Sequence, residues 1–102
     1  MRGESEIAVR FGENLRRCRR RADLSQERLA ALAGLHRVAI GHLEHGRRRP
    51  RIDTLVKVAC ALEVPADELL DGIDWVPEGT GSGGGSFRVV ARAVSLGTEA
   101  GG

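Results

Sequence analysis

The side chains of this 102-residue chain that could do chemistry are three histidines, two cysteines and a run of arginines. His42 and His45 stand three apart, so on a helix their imidazoles share a face, and His36, Cys18 and Cys60 complete a list of candidate metal ligands. A stable site needs three or four ligands that converge. Both cysteines fall on apolar helical stripes, which reads as two buried thiols in a reducing compartment and not as ligation or a disulfide. Ser25 lacks a histidine and a carboxylate at any triad spacing and is better placed as a helix cap. Gly81–Gly85 is glycine-rich but lacks the Lys-Ser/Thr pair and the following helix of a phosphate loop. No catalytic group, metal or cofactor is therefore expected, and an enzyme is not. What remains is Arg47-Arg48-Arg49-Pro50-Arg51, a cluster suited to a polyanion.

The charge distribution supports that direction. Residues 1–51 contain 13 Arg and six acids, for +7, and residues 52–102 contain two Arg, one Lys and eight acids, for −5, which together give the net +2. A basic half on a nearly neutral chain is the footprint expected of a nucleic-acid partner. The length allows one compact domain, or a smaller one with a tail. No apolar run approaches the roughly 18–20 residues that would cross a bilayer, and Met1–Arg10 holds no signal-peptide stretch, so a cytoplasmic location with no membrane contact is expected.

The elements that must position these arginines are short helices. Ile7, Phe11, Leu15, Cys18 and Ala22 recur at helical spacing and predict a first helix over about 6–22, with Arg10, Arg17, Arg20 and Arg21 on a solvated opposite face. Ser25 caps a second helix over 26–33, with Leu29, Ala30, Leu32 and Ala33 available for burial, and Gly34 ends it. A third helix runs from about Arg37 to His45, and Gly46 closes it. Ile52, Leu55, Val56, Ala59 and Leu62 mark a fourth, and Pro65-Ala66-Asp67-Glu68-Leu69-Leu70 begins a short fifth with its acids at the positive end of the helix dipole. The fold class is all-α, five helices over 6–71, with a Gly-rich extension over 72–102.

That extension holds nine of the 14 glycines. Ile73–Val76 and Phe87–Val94 flank the Gly/Ser stretch and read as a small β-hairpin or as a disordered tail; a Trp, a Phe and four Val favour order. An isolated hairpin is marginal in water, so it would have to rest on the helices or on another chain. Trp75 is expected to pack there, not to stack on a ligand.

Within Leu24–Pro50, Gln26, Ala30, Gly34, Ile40 and Leu43 fall at positions one, five, nine, 15 and 18 of a twenty-residue helix-turn-helix. Ala30 is small where the third helix crosses, Gly34 makes the turn of about 90–120°, and Ile40 and Leu43 anchor the third helix so that its other side faces outward. With Leu15-Arg16, Arg19, Leu24-Ser25-Gln26-Glu27, Leu43-Glu44, Gly46 and Arg49-Pro50, the sequence resembles the Xre family, the helix-turn-helix domains of Cro and phage repressors, over about residues 6–71. It departs from the family at His36, where Ser or Thr is usual, at Arg51, where a capping Ser, Asp or Thr is usual, and at Asp23, often Gly.

The resemblance implies a third helix that enters the major groove of double-stranded DNA with its first turn against the base edges. Those outward positions are His36, Arg37, Val38, Gly41 and His42. Arg37 would pair with guanine O6 and N7, Val38 would pack on a thymine methyl, Gly41 would let the backbone come close, and His42 would donate to a base or a phosphate. It further implies that Gln26 holds a phosphate and braces the third helix, that Arg47, Arg48, Arg49 and Arg51 track the DNA backbone, and that Arg19 and Glu44 form a buried ion pair. A homodimeric repressor on a two-fold symmetric operator is the expectation, with the dimer contact in helix five and residues 73–94. The alternative is an antitoxin or adaptor that uses 73–94 to bind a partner protein.

Overall fold

The computed structural model describes residues 2–79, 81 and 83–90, with side chains from Glu6 onward. Its elements are α1 (Arg2–Arg21), α2 (Gln26–Ala33), α3 (Arg37–Glu44), α4 (Ile52–Leu62), α5 (Ala66–Leu69), β1 (Ile73–Pro77) and β2 (Gly85–Val89). The five expected helices are present. α1 starts four residues before the expected Glu6, because Arg2–Ser5 contain no apolar residue that would have extended the stripe.

One buried cluster joins the helices: Phe11, Leu15 and Cys18 of α1, Leu29, Ala30 and Ala33 of α2, Ile40 and Leu43 of α3, Val58, Ala59 and Leu62 of α4, and Leu69 of α5. Each fully buried Leu, Ile or Phe contributes about 1.5–3 kcal/mol. The apolar stripes read from sequence are wider than the faces that are buried. Leu32, Ile52 and Val56 are exposed. Cys60, expected in the core, is an exposed free thiol, while Cys18 is buried as expected. The reason is helical phase: one residue past buried Ala59 is a rotation of about 100°, which turns Cys60 away from the core.

Four helix exits use the same closure. Leu24 N donates to Arg19 O (3.1 Å), Leu35 N to Ala30 O (2.9 Å), Arg47 N to His42 O (2.9 Å) and Val64 N to Ala59 O (3.0 Å). Each satisfies a carbonyl the helix would leave open, and each needs a left-handed residue just before the donor. Gly34 and Gly46 supply it at φ +68 and +71, and Asp23 and Glu63 adopt it at φ +61 and +59. The departure at Asp23 is thus accommodated by the geometry that glycine would have eased.

β1 and β2 pair antiparallel in the register Ile73↔Val89, Asp74↔Arg88, Trp75↔Phe87, Val76↔Ser86 and Pro77↔Gly85. Trp75 packs edge-on against Phe87 with ring centroids 5.1 Å apart, so its expected packing role is met within the hairpin. Ile73 reaches the helical core, and β2 lies along α1. The hairpin alternative is therefore the one the described residues adopt, and it rests on the helices. Ala91–Val94, read as the continuation of the second strand, lie outside the described residues.

Its root is held by polar groups of α1. Asn14, fully buried, donates through Nδ2 to Leu69 O and to Asp71 O, both at 2.9 Å, and accepts from Arg17 Nη1 through Oδ1 at 2.9 Å. Arg10 Nη1 reaches Asp71 O at 3.4 Å, and Val90 N closes the turn onto Gly72 O at 2.8 Å. Arg10 and Arg17 are consequently half-buried and not on a solvated face, and Arg21 is paired with Glu68 at 2.6 Å; Arg20 is exposed as expected.

Candidate nucleic-acid interface

The orientation of α3 is set by one buried carboxylate. Glu44, with a side chain 0% exposed, accepts from Arg19 Nε at 2.6 Å and from Arg19 Nη2 at 3.0 Å, a bidentate pair. Gln26 Nε2 donates to Glu44 Oε1 at 3.0 Å, and Arg16 Nε lies 3.6 Å from the same oxygen. Arg19 Nη1 also donates to Leu24 O at 2.9 Å. The carboxylate thereby ties α3 to α1 and to the first residue of α2, and Arg19 extends the tie to the turn between them. Burial pushes the Glu44 carboxyl up, but hydrogen bonds from Arg19 and Gln26 and the charges of Arg19 and Arg16 outweigh it and hold the group below the usual carboxylate range.

Steric contact fixes the same crossing. A Cβ at Gly12 would run into the carbonyl oxygens of Leu43 and Glu44, so α1 abuts the C-terminal end of α3 directly. A Cβ at Gly46 would lie 2.8 Å from Val9 Cγ2, which brings the start of the following loop against α1 as well.

With Ile40, Leu43 and Glu44 buried, the opposite side of α3 is left outward. Val38 and His42, four apart, lie on that side; Arg37 stands in the first turn, nearly in line with Glu44 seven residues on, and Gly41 lies between the two faces. Arg37 and Val38 are exposed, Val38 to 64%, whereas Gly41 and His42 are half-buried. His42 Nδ1 is buried without a hydrogen-bond partner among the described residues. His36 occupies the N-cap of α3, exposed, and its side chain makes no cap hydrogen bond. Arg51 likewise precedes α4 without capping it; its Nε pairs instead with Asp53 at 3.5 Å. Arg47, Arg48 and Arg49 are exposed in the loop that joins α3 to α4.

The expected Arg19–Glu44 pair is thus present, and Gln26 braces α3 through Glu44. Two polar contributions were not read from sequence: the field that Arg16, named there only as part of the family motif, adds at Glu44, and Asn14, whose partners are main-chain carbonyls 55 and 57 residues away and leave no local signal. Among the described residues no group of three His, Cys, Asp or Glu could hold a metal ion, and no helix is long and apolar enough to cross a membrane.

Comparison with known proteins bears on this arrangement. Residues 15–69 match the family model HTH_3, described as helix-turn-helix. A curated relative is the prophage-derived uncharacterised HTH-type transcriptional regulator YonR of Bacillus subtilis, 40% identical over 62 residues. That match covers 61% of this chain and 57% of the relative, so the chain spans little more than half the length of that protein. Among solved structures, the restriction-modification controller protein C.AhdI from Aeromonas hydrophila is 42% identical with a TM-score of 0.60, covering 61% of this chain and 94% of that one. The P22 c2 repressor, solved in complex with a synthetic operator, is 31% identical with a TM-score of 0.57, over the same shares of each chain. These similarities cover the helices that surround Glu44, and the chain belongs to the HTH_3 family of helix-turn-helix domains, of the Xre and phage-repressor type.

Proposed function

We propose that this chain is a sequence-specific DNA-binding transcriptional regulator without enzymatic activity, a homodimeric repressor that reads the major groove of a two-fold symmetric operator in the cytoplasm. The observation that carries the reading is the exposed first turn of α3, Arg37 and Val38, with His42 on the outward side beyond them, held from behind by the buried Glu44 node and followed by the basic loop 47–51. A rigid helix is what base readout needs, because a bidentate contact tolerates little angular error.

In this reading Arg37 pairs with guanine, Val38 packs on a thymine methyl, and His36 and His42 contact a base or a phosphate. Gln26, Arg47, Arg48, Arg49 and Arg51 hold phosphates, which set affinity and register without reading sequence. The relatives support it: one is named a restriction-modification controller, and another was solved on an operator. Residues 6–71 form the DNA-binding unit, and 72–102 extend it towards the dimer contact. Exposed Leu70 of the α5 C-cap and exposed Trp75 and Val76 of β1 supply apolar surface for that contact. A single module buries limited area, so two half-sites about one helical turn apart bring affinity into a useful range.

The test is selection from a random duplex library at two salt concentrations, with the oligomer mass measured alongside. The expected result is a palindromic motif enriched by a dimer. Weak, strongly salt-dependent binding with no motif would overturn base readout and move the search to a protein partner for residues 73–94.

A further inference from the structure

α4 is apolar on two sides, and the core takes up one of them. Val58, Ala59 and Leu62 are buried, whereas Val56 and Cys60, four apart and so on one face of the helix, stay exposed, Val56 to 52%. Leu32 of α2, 47% exposed, stands beside them, and the three line an open groove of about 550 Å³ between α2 and α4. Two charged residues, Lys57 and Glu63, line the same groove. Both are exposed, and neither side chain has an ion pair or a hydrogen bond among the described residues. No residue of this groove belongs to the surfaces assigned above to DNA or to the contact made by α5 and the hairpin.

The placing of the two charges says what fits the groove. Lys57 comes three residues before Cys60 and Glu63 three after it. At about 100° and 1.5 Å per residue, they flank Cys60 at roughly 60° to either side, one about 4.5 Å below it and the other about 4.5 Å above. A half-turn about Cys60 therefore exchanges the position of the cation with that of the anion. A patch of this kind complements a copy of itself: when two α4 helices cross at Cys60, each Lys57 meets the other copy's Glu63, with Val56 and Cys60 of both copies between them. A partner of a single charge sign would leave one of the two ions opposed by its own kind.

We propose that the α2–α4 groove is a self-association surface, in which α4 of one copy crosses α4 of a second copy at Cys60. The proposal stands apart from the DNA-binding reading and from the α5–hairpin contact, and a protomer that used both contacts would join one dimer to the next. Three apolar side chains and two ion pairs fall short of the roughly 800 Å² per partner of a stable interface, so the contact is weak, with a Kd on the order of 10–100 μM. Below that range Cys60 stays open to thiol reagents.

Cys60 is the reporter in the experiment. Full-length protein without DNA is treated with a short bismaleimide at concentrations below and above the expected Kd, and covalent dimer is measured on a denaturing gel, with Cys60→Ser as the background. Wild type should give covalent dimer at the higher concentration. Lys57→Glu alone and Glu63→Lys alone each set like charges together at both ends of the contact and should lower the yield by at least about fivefold. In a mixture of the two variants unlike charges face each other again, and the yield should return most of the way to that of wild type. Recovery in the mixture excludes misfolding as the cause of the loss. No covalent dimer from wild type, single variants that cross-link as well as wild type, or a mixture that cross-links no better than either variant alone would each overturn the proposal.

Discussion

Glu44→Gln removes one charge and almost no volume from the centre of the molecule. The wild-type carboxylate sits between the Arg19 fork, at 2.6 and 3.0 Å, and the Gln26 amide, at 3.0 Å, with no exposed side-chain surface. In the variant one oxygen becomes an NH2 group that faces donors on both sides. Arg19, only 12% exposed, is left with its charge uncompensated. Removing one partner of a buried pair destabilises by about 3–5 kcal/mol. The lower end applies here, because Arg16 is 36% exposed and solvent reaches the edge of the site. Against the roughly 5–15 kcal/mol of a small domain, a loss of about 3 kcal/mol is a large share. At about 4–8 °C per kcal/mol, the Tm should fall by at least about 12 °C. The assay is far-UV circular dichroism with urea and thermal unfolding at pH 7. Arg19→Met combined with Glu44→Leu should recover most of the loss, since a packed apolar pair replaces a buried ion pair at little net penalty. A fall of less than about 4 °C for Glu44→Gln would refute the assignment of α3 positioning to this carboxylate. The acid limb supplies a second check. The folded carboxyl titrates below its ordinary value of 4.5, so its contribution is complete above that pH and is lost as the pH falls through the folded value. Wild type should lose stability below about pH 4.5 more steeply than Glu44→Gln.

Arg37→Ala should reduce discrimination at one base pair by about 1–3 kcal/mol, whereas Arg48→Ala should weaken all duplexes alike and lower the salt slope by about 1; equal losses on operator and random DNA for Arg37→Ala would remove its reading role. Asn14→Leu takes the amide donor from the Leu69 and Asp71 carbonyls, of which Asp71 O keeps its contact with Arg10 Nη1, and should destabilise by about 1–3 kcal/mol. Its specific mark is faster hydrogen exchange at the Val90 N–H, which is bonded to Gly72 O; unchanged exchange there would mean Asn14 does not secure the hairpin. In the native protein one thiol, Cys60, should react promptly with Ellman's reagent, and Cys18 only on unfolding, because burial raises its pKa and removes access; two fast thiols would contradict the packing of α1.

The helical frame was legible because its punctuation is local. Ser25 accepts from Arg28 N at 2.9 Å, and Gly34 takes the left-handed turn, as their positions in the sequence suggest. The Arg19–Glu44 pair came from the family resemblance and not from spacing, since 25 residues separate the partners. Ile52, Val56 and Cys60 misled because α4 has more apolar residues than its neighbours can cover, and composition alone does not phase such a stripe. Asn14 was silent for a different reason: an asparagine beside Leu15 looks like an interruption of the apolar face until α5 folds over it. For the hairpin, alternation identified the strands, but their register depends on Trp75 meeting Phe87, a pairing set across a loop of little sequence information.

α1 grips two different things along its length. Arg10 and Asn14 hold the root of the hairpin, while Gly12 and Arg19 hold α3. On a helix these grips are locked in angle: one inserted or deleted residue turns everything beyond it by about 100° and shifts it by about 1.5 Å. The spacing from Arg10 to Arg19 therefore behaves like the teeth of a key, in which a change of length misaligns one end or the other. The loop between β1 and β2 starts from a different position: Glu78 N donates to Gly84 O at 2.9 Å at its base, and the strands below that bond are already in register. Length variation among related chains should accordingly collect at that hairpin tip and be absent from the middle of α1.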